Sequence, residues 1–346
     1  MIRQNFNVDW TVEKGDGNSR MNSFLGNTQT KTVHLPYDAM IHEARTPDTK
    51  NGAQTGFYPG GEYIFQKHFT APQAWQGKPV FLVFEGVYQT ALVYLNGWLL
   101  TRNVNGYAEF TVEAGPYLKY GADNLLKVIA DNSLEPNSRW YTGSGIYRPV
   151  RLLVGNKVYL PQDTVRITTR EADEGFALLD VTAQVQSAST VTERVTLQQT
   201  ICREGTAVLT DRQNLLLQPG ESRTVSFRYC VDSPALWSPE NPNLYTSTMQ
   251  VLEGEEELDR EETGFGIRTL SIDAAHGVRI NGQTVKLRGA CIHHDNGILG
   301  AATLPDAEER RIRQLKEAGF NAIRSSHHPA GRALLDACDR YGVLVM

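Results

Sequence analysis

Two short runs of histidine and neighbouring polar residues are the groups in this sequence that could take part in chemistry. The runs are His293-His294-Asp295 and Arg324-Ser325-Ser326-His327-His328. Imidazole and guanidinium groups can donate hydrogen bonds to sugar hydroxyls, or can orient a catalytic carboxylate. Residues of these types also occur as ordinary polar groups of loops, so residue type alone leaves both interpretations open.

A metal site and a nucleotide site are two further interpretations, and the sequence favours neither. His293 and His294 are adjacent, so on an extended strand their side chains point to opposite faces, and the chain has no HExxH-type spacing. The glycines of segment 142–148 are similar to a phosphate loop, but a third glycine is lacking and a strand pattern follows instead of a helix. We therefore predict no metal and no cofactor, and we expect the nearby Trp140 to pack a domain boundary, although aromatic rings can also stack on sugars.

Both polar runs end predicted strands in a segment where strands and helices alternate. Strands are predicted over residues 285–292, 321–326 and 343–346. A first helix is expected to open at Pro305, with Asp306 and Glu309 in capping-box spacing, and to end at Gly319. A second helix carries the stripe Leu334, Leu335, Cys338 and Tyr341. This order predicts a parallel sheet, whose strands would bring both runs to the same mouth. The simplest completion is a (β/α)₈ barrel of which the first three strands are present.

The preceding 270 residues are rich in short strands and poor in helical periodicity. Residues 80–84, 91–95, 125–130 and 150–154 predict strands, and Asn96-Gly97 predicts a hairpin. We expect a jelly-roll domain over residues 1–157 and an immunoglobulin-like sandwich over 158–270, followed by the barrel segment 271–346. A disulfide between Cys202 and Cys230 is not favoured.

Composition excludes several classes of protein. The net charge of −5 argues against a surface built for nucleic acid or anionic lipid, and no stretch approaches the roughly 20 apolar residues of a membrane span. The first residues lack the apolar segment of a signal peptide. Four scattered cysteines without a CxxC pair favour a reducing compartment. We therefore predict a cytoplasmic protein.

Several segments resemble, in order, the motifs of the family 2 glycoside hydrolases, which include β-galactosidases, β-glucuronidases and β-mannosidases. The segments are Leu35-Pro36-Tyr37-Asp38, Ser144-Gly145-Ile146-Tyr147-Arg148, 236–245, Phe265-Gly266-Ile267-Arg268, Arg288-Gly289 with His293, 321–329 and 339–345. The resemblance implies a jelly-roll sugar-binding domain over residues 1–157, an immunoglobulin-like domain and a catalytic barrel, and this order agrees with the strand pattern. It also implies retaining hydrolysis of a β-glycoside by two glutamates, one acting as acid and then base, the other as nucleophile.

The resemblance also implies roles for four residues. His293 and His327 stand where the family's strand-end histidines contact the sugar and stabilise the transition state. Arg324 stands where an arginine helps to hold the nucleophile, and Asp295, in the first-strand loop, is expected to bind sugar hydroxyls. Both glutamates lie on later barrel strands in the family, so we expect no catalytic residue in this chain and no hydrolysis by it alone.

The identity of the sugar stays open at this point. Cys291 and Ile292 stand where many members have Asn and a basic residue, and His328 replaces the usual Tyr. We expect a β-galactosidase-like enzyme; the alternatives are a β-glucuronidase of the same family and a non-catalytic carbohydrate-binding or scaffold module. The expected partner is a β-glycoside or oligosaccharide substrate, and a homo-oligomer is a further possibility.

Overall fold

The computed structural model describes residues 1–15, 30–134 and 137–346. Its N-terminal strands are β1 Ile2–Asn5, β2 Trp10–Lys14, β3 Lys31–Val33, β4 Gly61–Thr70, β5 Val80–Phe84, β6 Thr90–Leu95, β7 Trp98–Asn103, β8 Phe110–Glu113, β9 Asp123–Asn132 and β10 Val150–Val154. Within the described residues they form two antiparallel sheets, ordered β1-β10-β5-β8 and β3-β2-β4-β9-β6-β7. This is the predicted jelly-roll sandwich.

The strand pattern of the sequence accounts for this sandwich. Alternate residues of β6 (Ala91, Val93 and Leu95) are fully buried between the sheets, as expected for a period of two. Asn96 and Gly97, which join β6 to β7, have φ values of 52° and 90°. Two successive positive φ angles give a turn that matches the twist of a hairpin, so the predicted hairpin is confirmed.

The next part of the chain is a second antiparallel sandwich, which confirms the predicted immunoglobulin-like fold. Its strands are β11 Val158–Tyr159, β12 Arg166–Ala172, β13 Phe176–Ser187, β14 Glu193–Arg203, β15 Thr206–Leu217, β16 Ser222–Asp232, β17 Tyr245–Glu253 and β18 Glu256–Phe265. One sheet holds β12, β13 and β16, with β11 also paired to β13, and the other is ordered β15-β14-β17-β18. Cys202 and Cys230 are free thiols.

The C-terminal part begins with a small antiparallel sheet and continues as an alternating α/β unit. The small sheet consists of β19 Leu270–Asp273, β20 Gly277–Ile280 and β21 Gln283–Thr284. The parallel sheet consists of β22 Gly289–Ile292, β23 Ala322–Ser325 and β24 Leu344–Val345, with helices α1 Pro305–Glu317 and α2 Arg332–Tyr341 between them. Ile312, Ile323, Leu334, Cys338 and Val343 are buried where the helices cover one face of this sheet. Neither helix in the described ranges is long and apolar enough to cross a membrane.

The structure corrects three local predictions in this unit. The strand predicted over 285–292 begins only at Gly289, because the Arg288 amide and the Lys286 carbonyl are paired with the Asn321 side chain instead of with a neighbouring strand. The capping box is wrong: α1 starts at Pro305 as predicted, but Leu304 and not Asp306 is the N-cap, and no side chain caps the helix. Leu335 of the predicted stripe is 41% exposed, since the buried face of α2 passes through Leu334 and Cys338 instead.

Contacts with residues of the two sandwiches fix the position of α2. Arg332, the first residue of the helix, makes a bidentate ion pair with Glu109 of the first sandwich at 2.7 and 2.8 Å. The same guanidinium donates to Asp163, which precedes β12, at 2.9 Å. At the other end, the Trp237 indole donates to the Asp339 carbonyl at 2.9 Å. Both ends of α2 are therefore held by residues far away in the chain.

Candidate active site

The two polar runs meet at the carboxyl edge of the parallel sheet. β22 and β23 pair in register, with Ile292 opposite Ser325, so the residues that follow each strand emerge side by side. The His293 and His327 rings lie 6.1 Å apart, centroid to centroid, in an edge-to-face arrangement of 82°. His327 is exposed and His293 is half-buried. The meeting of the two loops follows from the common direction of parallel strands.

Trp140 of the first sandwich completes this cluster of rings. Its centroid lies 5.3 Å from that of His293 and 5.4 Å from that of His327. Its indole N–H points to the Tyr107 hydroxyl at 3.3 Å. We name Trp140, His293 and His327 the ring cluster. In the sequence, the only indication of a role for Trp140 is an aromatic residue near a glycine-rich motif. The position of Trp140 in the cluster depends on how the first sandwich docks against the parallel sheet.

His294 and His328 face the other way and form a buried layer behind the ring cluster. His294 is 6% exposed, and its Nε2–H donates to the Thr142 carbonyl at 2.8 Å. Burial lowers the pKa of His294 to about 3, so the ring is neutral. His328 stacks on Tyr107 at 4.4 Å, and burial lowers its pKa as well. The opposite orientation of adjacent histidines agrees with the strand geometry, and both of these rings serve packing.

Arg324 lies on the uncovered face of the parallel sheet. It is exposed, and its Nη1 lies 3.8 Å from the sulfur of Cys291, its register partner on β22. Hydrogen bonds from Ser326 and Arg324 lower the pKa of the Cys291 thiol. The pocket on this side of the sheet is also lined by the exposed side chains of Leu270, Leu287 and Met346. Arg324 is therefore close to His327 in sequence, but its side chain lies on the uncovered face of the sheet, which is the inner face of a barrel, and not in the ring cluster.

Asp295 is not brought into the ring cluster by any contact of its carboxylate. Its carbonyl oxygen accepts a hydrogen bond from Arg311 at 2.5 Å, and the same guanidinium donates to the His293 carbonyl at 2.8 Å. In the ranges that the structure describes, no side chain pairs with the Asp295 carboxylate. Arg311 of α1 thus fixes the backbone of the loop and leaves the carboxylate available. The described residues contain no group of three or more metal-ligating side chains close enough to hold an ion.

A buried carboxylate ties the loop after β22 to the first sandwich. Asp38 is 1% exposed and accepts four hydrogen bonds. The donors are the amides of Met40, Ser144 and Ala301, at 2.9–3.0 Å, and the Tyr141 hydroxyl, at 2.6 Å. Charge-assisted hydrogen bonds of this kind are strong when both partners are desolvated. Asp38 therefore positions the loop that carries the polar residues.

Arg148 makes the corresponding link to the loop after β23. It is 3% exposed and donates to the Tyr107 carbonyl at 2.8 Å and to the Pro329 carbonyl at 2.9 Å. Two motifs that the sequence offered for the family resemblance, one ending in Asp38 and one ending in Arg148, are thus supports that hold the strand-end loops. In the sequence, this supporting role is indicated only by a charged residue at the end of each motif.

Two β-sandwiches docked on the first strands of a (β/α)₈ barrel, with histidines gathered at the carboxyl ends of those strands, have the architecture of a multidomain glycosidase. Three family models match the chain: the glycosyl hydrolase 2 galactose-binding domain-like model over residues 10–176, the glycosyl hydrolases family 2 model over 158–268, and the TIM barrel domain of the same family over 274–346. The chain belongs to glycosyl hydrolase family 2.

Individual relatives agree with this assignment. Beta-galactosidase BoGH2A of Bacteroides ovatus is 37% identical over 99% of this chain, and a putative beta-glucuronidase of Formosa agariphila is 32% identical over 100% of it. A glycosyl hydrolase family 2 member from Bacteroides cellulosilyticus superposes with a TM-score of 0.94 at 35% identity, over 100% of this chain and 45% of that structure. The chain spans only 40% and 33% of the length of the two sequence relatives.

Proposed function

We propose that this chain supplies the N-terminal sandwiches and the first barrel strands of a retaining β-glycosidase, which removes a terminal β-linked sugar. The observation that carries the proposal is the ring cluster. Two imidazoles from neighbouring parallel strand ends face each other beside a tryptophan, and one of them is exposed. Such a surface offers hydrogen-bond donors and acceptors next to an aromatic face, which is what a pyranose ring requires.

We assign the site residues the following roles. His293 and His327 bond to sugar hydroxyls and do so more strongly in the transition state. Arg324, whose side chain lies on the inner face of the sheet, holds the nucleophile carboxylate. Asp295 accepts hydrogen bonds from the sugar. The two glutamates come from barrel strands after β24, outside these 346 residues, and lie about 5 Å apart as retention requires.

We propose galactose as the sugar, because the relative with 37% identity is named a beta-galactosidase. The proposal also includes domain boundaries at residues 157 and 270. We further propose that the protein is cytoplasmic and forms a homo-oligomer.

The test is hydrolysis of nitrophenyl β-glycosides by the complete protein. We expect turnover of the β-galactoside, and we expect residues 1–346 alone to give no rate above a buffer blank. Preferential turnover of the β-glucuronide would correct the sugar while keeping the class. Absence of hydrolysis of the galactoside, the glucuronide and the mannoside alike would overturn the proposal.

A further inference from the structure

Behind the ring cluster lies a small cavity lined by several charged and imidazole side chains. It is lined by Arg148, by the three histidines His293, His294 and His328, and by Glu308 and Arg311 of α1. About 10 Å³ of it is open to the centre of a water molecule. This is the size of a single water site.

Five buried polar atoms of the residues around this cavity have no hydrogen-bond partner among the described residues. They are Arg148 Nε, Glu308 Oε1, His293 Nδ1, His294 Nδ1 and His328 Nε2. Buried polar atoms are rarely left unpaired, because an unpaired atom has lost its hydrogen bonds to water without gaining others. Several such atoms around one small cavity point to a ligand that most of them share.

The hydrogen-bonding character of these atoms narrows the choice of ligand. Arg148 Nε carries a hydrogen. His294 donates through Nε2 to Thr142, and His328 Nδ1 lies 3.2 Å from the Pro329 carbonyl. The free nitrogen of each ring is therefore a lone-pair acceptor in the neutral form. A site with a guanidinium donor and several acceptors suits neither a bare cation nor an anion, but it suits water, which donates twice and accepts twice.

Glu308 is the residue that connects this cavity to the site. It is 3% exposed on α1, and its Oε1 lies 3.7 Å from Arg311 Nη2, too far for a hydrogen bond. Arg311, one turn along, holds the backbone of His293 and Asp295. The helix face that supports the first polar loop thus directs a carboxylate into the space behind the imidazole.

We propose that the cavity binds one ordered water molecule that accepts from Arg148 Nε–H and from His293 Nδ1–H, and donates to Glu308 Oε1 and to one of the two acceptor nitrogens, His294 Nδ1 or His328 Nε2. Because the water accepts from His293, the proton of that ring is held on Nδ1. This inference rests on the proposed function, since it makes Glu308 a positioning residue for a sugar-contacting histidine. A proton fixed on the buried nitrogen leaves Nε2 as the nitrogen that meets the sugar. The group on one side of an imidazole sets the tautomer offered on the other.

The test combines crystallography and kinetics on the complete enzyme. We expect a high-resolution structure to show one water within hydrogen-bond distance of Arg148 Nε and Glu308 Oε1. Glu308→Leu should expel it and lower kcat about tenfold while KM stays within about twofold, because the misplaced imidazole is needed most in the transition state. Glu308→Gln, which still bonds to water, should keep the water and most of kcat. Glu317→Gln on the exposed face of α1 is the matched control and should change nothing.

The outcomes separate this inference from the proposed function. An empty cavity, a chloride ion in place of water, or an unchanged kcat in Glu308→Leu would overturn the water site. If Glu308→Leu does not fold, the wild-type density and Glu308→Gln still decide the question. Lack of glycosidase activity in the wild type would remove the proposed function, whereas the electron density in the cavity would report on the water independently.

Discussion

Among single residues, His327 is the exposed member of the ring cluster and has no role in the apolar core. We expect His327→Ala in the complete enzyme to lower kcat/KM by roughly 10²-fold, because one hydrogen bond to the developing transition state is lost. The free energy of unfolding should change by less than about 0.5 kcal/mol, as at other exposed sites. Steady-state kinetics with a nitrophenyl β-galactoside measure the effect. Unchanged kinetics would return His327 to an ordinary loop residue.

His294 makes a different prediction, about stability and pH. Its pKa is lowered by burial to about 3, whereas an unfolded chain protonates histidine near pH 6.5. Between these values the unfolded state binds the extra proton, so stability rises with pH up to about 6.5 and is independent of this group above it. The slope approaches about 1.4 kcal/mol per pH unit. His294→Gln should be less stable at pH 7 but should lose less on acidification to pH 5, as measured by urea unfolding.

The control for that experiment is an exposed histidine. His276 is exposed, beside Asp273, so His276→Gln should keep the steep pH dependence of the wild type. An identical pH dependence in wild type and His294→Gln would contradict the assignment of His294 as a neutral buried ring.

At the scale of elements, the loop between β22 and α1 is held against the first sandwich by close packing at Gly143. The residue has φ +66°, and a Cβ there would lie 2.5 Å from the Ala301 side chain and 2.8 Å from Asp38 Oδ2. We expect Gly143→Ala to destabilise the chain by about 2–4 kcal/mol, from overpacking added to the cost of a left-handed backbone. Gly205→Ala is the matched control, since φ is +79° but nothing lies within 4 Å. Its cost should stay near about 1 kcal/mol, and equal losses in denaturant unfolding would refute the packing argument.

The elements also show what the sequence can and cannot predict. Strands β5 and β10 coincide with their predicted bounds, because apolar β-branched runs bounded by turns depend on local pattern alone. The start of α1 at Pro305 was predicted, but the capping box was not formed, because Asp306 lies within the first helical turn instead of at the N-cap. The approach of His293 to His327 was predictable from strand direction. The positions of Trp140 and Glu308 in the site could not be predicted, because they depend on how segments far apart in the chain dock against each other.

For the whole molecule, the ion pair between Arg332 and Glu109 joins the first sandwich to the helix that follows the second polar loop. The pKa of Arg332 is raised, first by its hydrogen bond to Glu109, and the paired geometry is bidentate. A double-mutant cycle with Arg332→Ala and Glu109→Ala should give a coupling energy of roughly 1 kcal/mol or more in thermal unfolding. In the complete enzyme either single change should also lower kcat/KM, because α2 begins just after the loop that carries His327.

An exposed pair on α1 provides the reference for this coupling. Arg313 and Glu317 lie four residues apart at 3.9 Å and are both more than half exposed, so their cycle should give only about 0.3–0.5 kcal/mol and no change in kcat/KM. The difference follows from desolvation and geometry, since Glu109 is 22% exposed and accepts two parallel hydrogen bonds, whereas the α1 pair is freely hydrated. Equal coupling energies for the two pairs would mean that the pair of Arg332 and Glu109 contributes no more to docking than an exposed pair does. The strand-end loops would then owe their placement to Asp38 and Arg148.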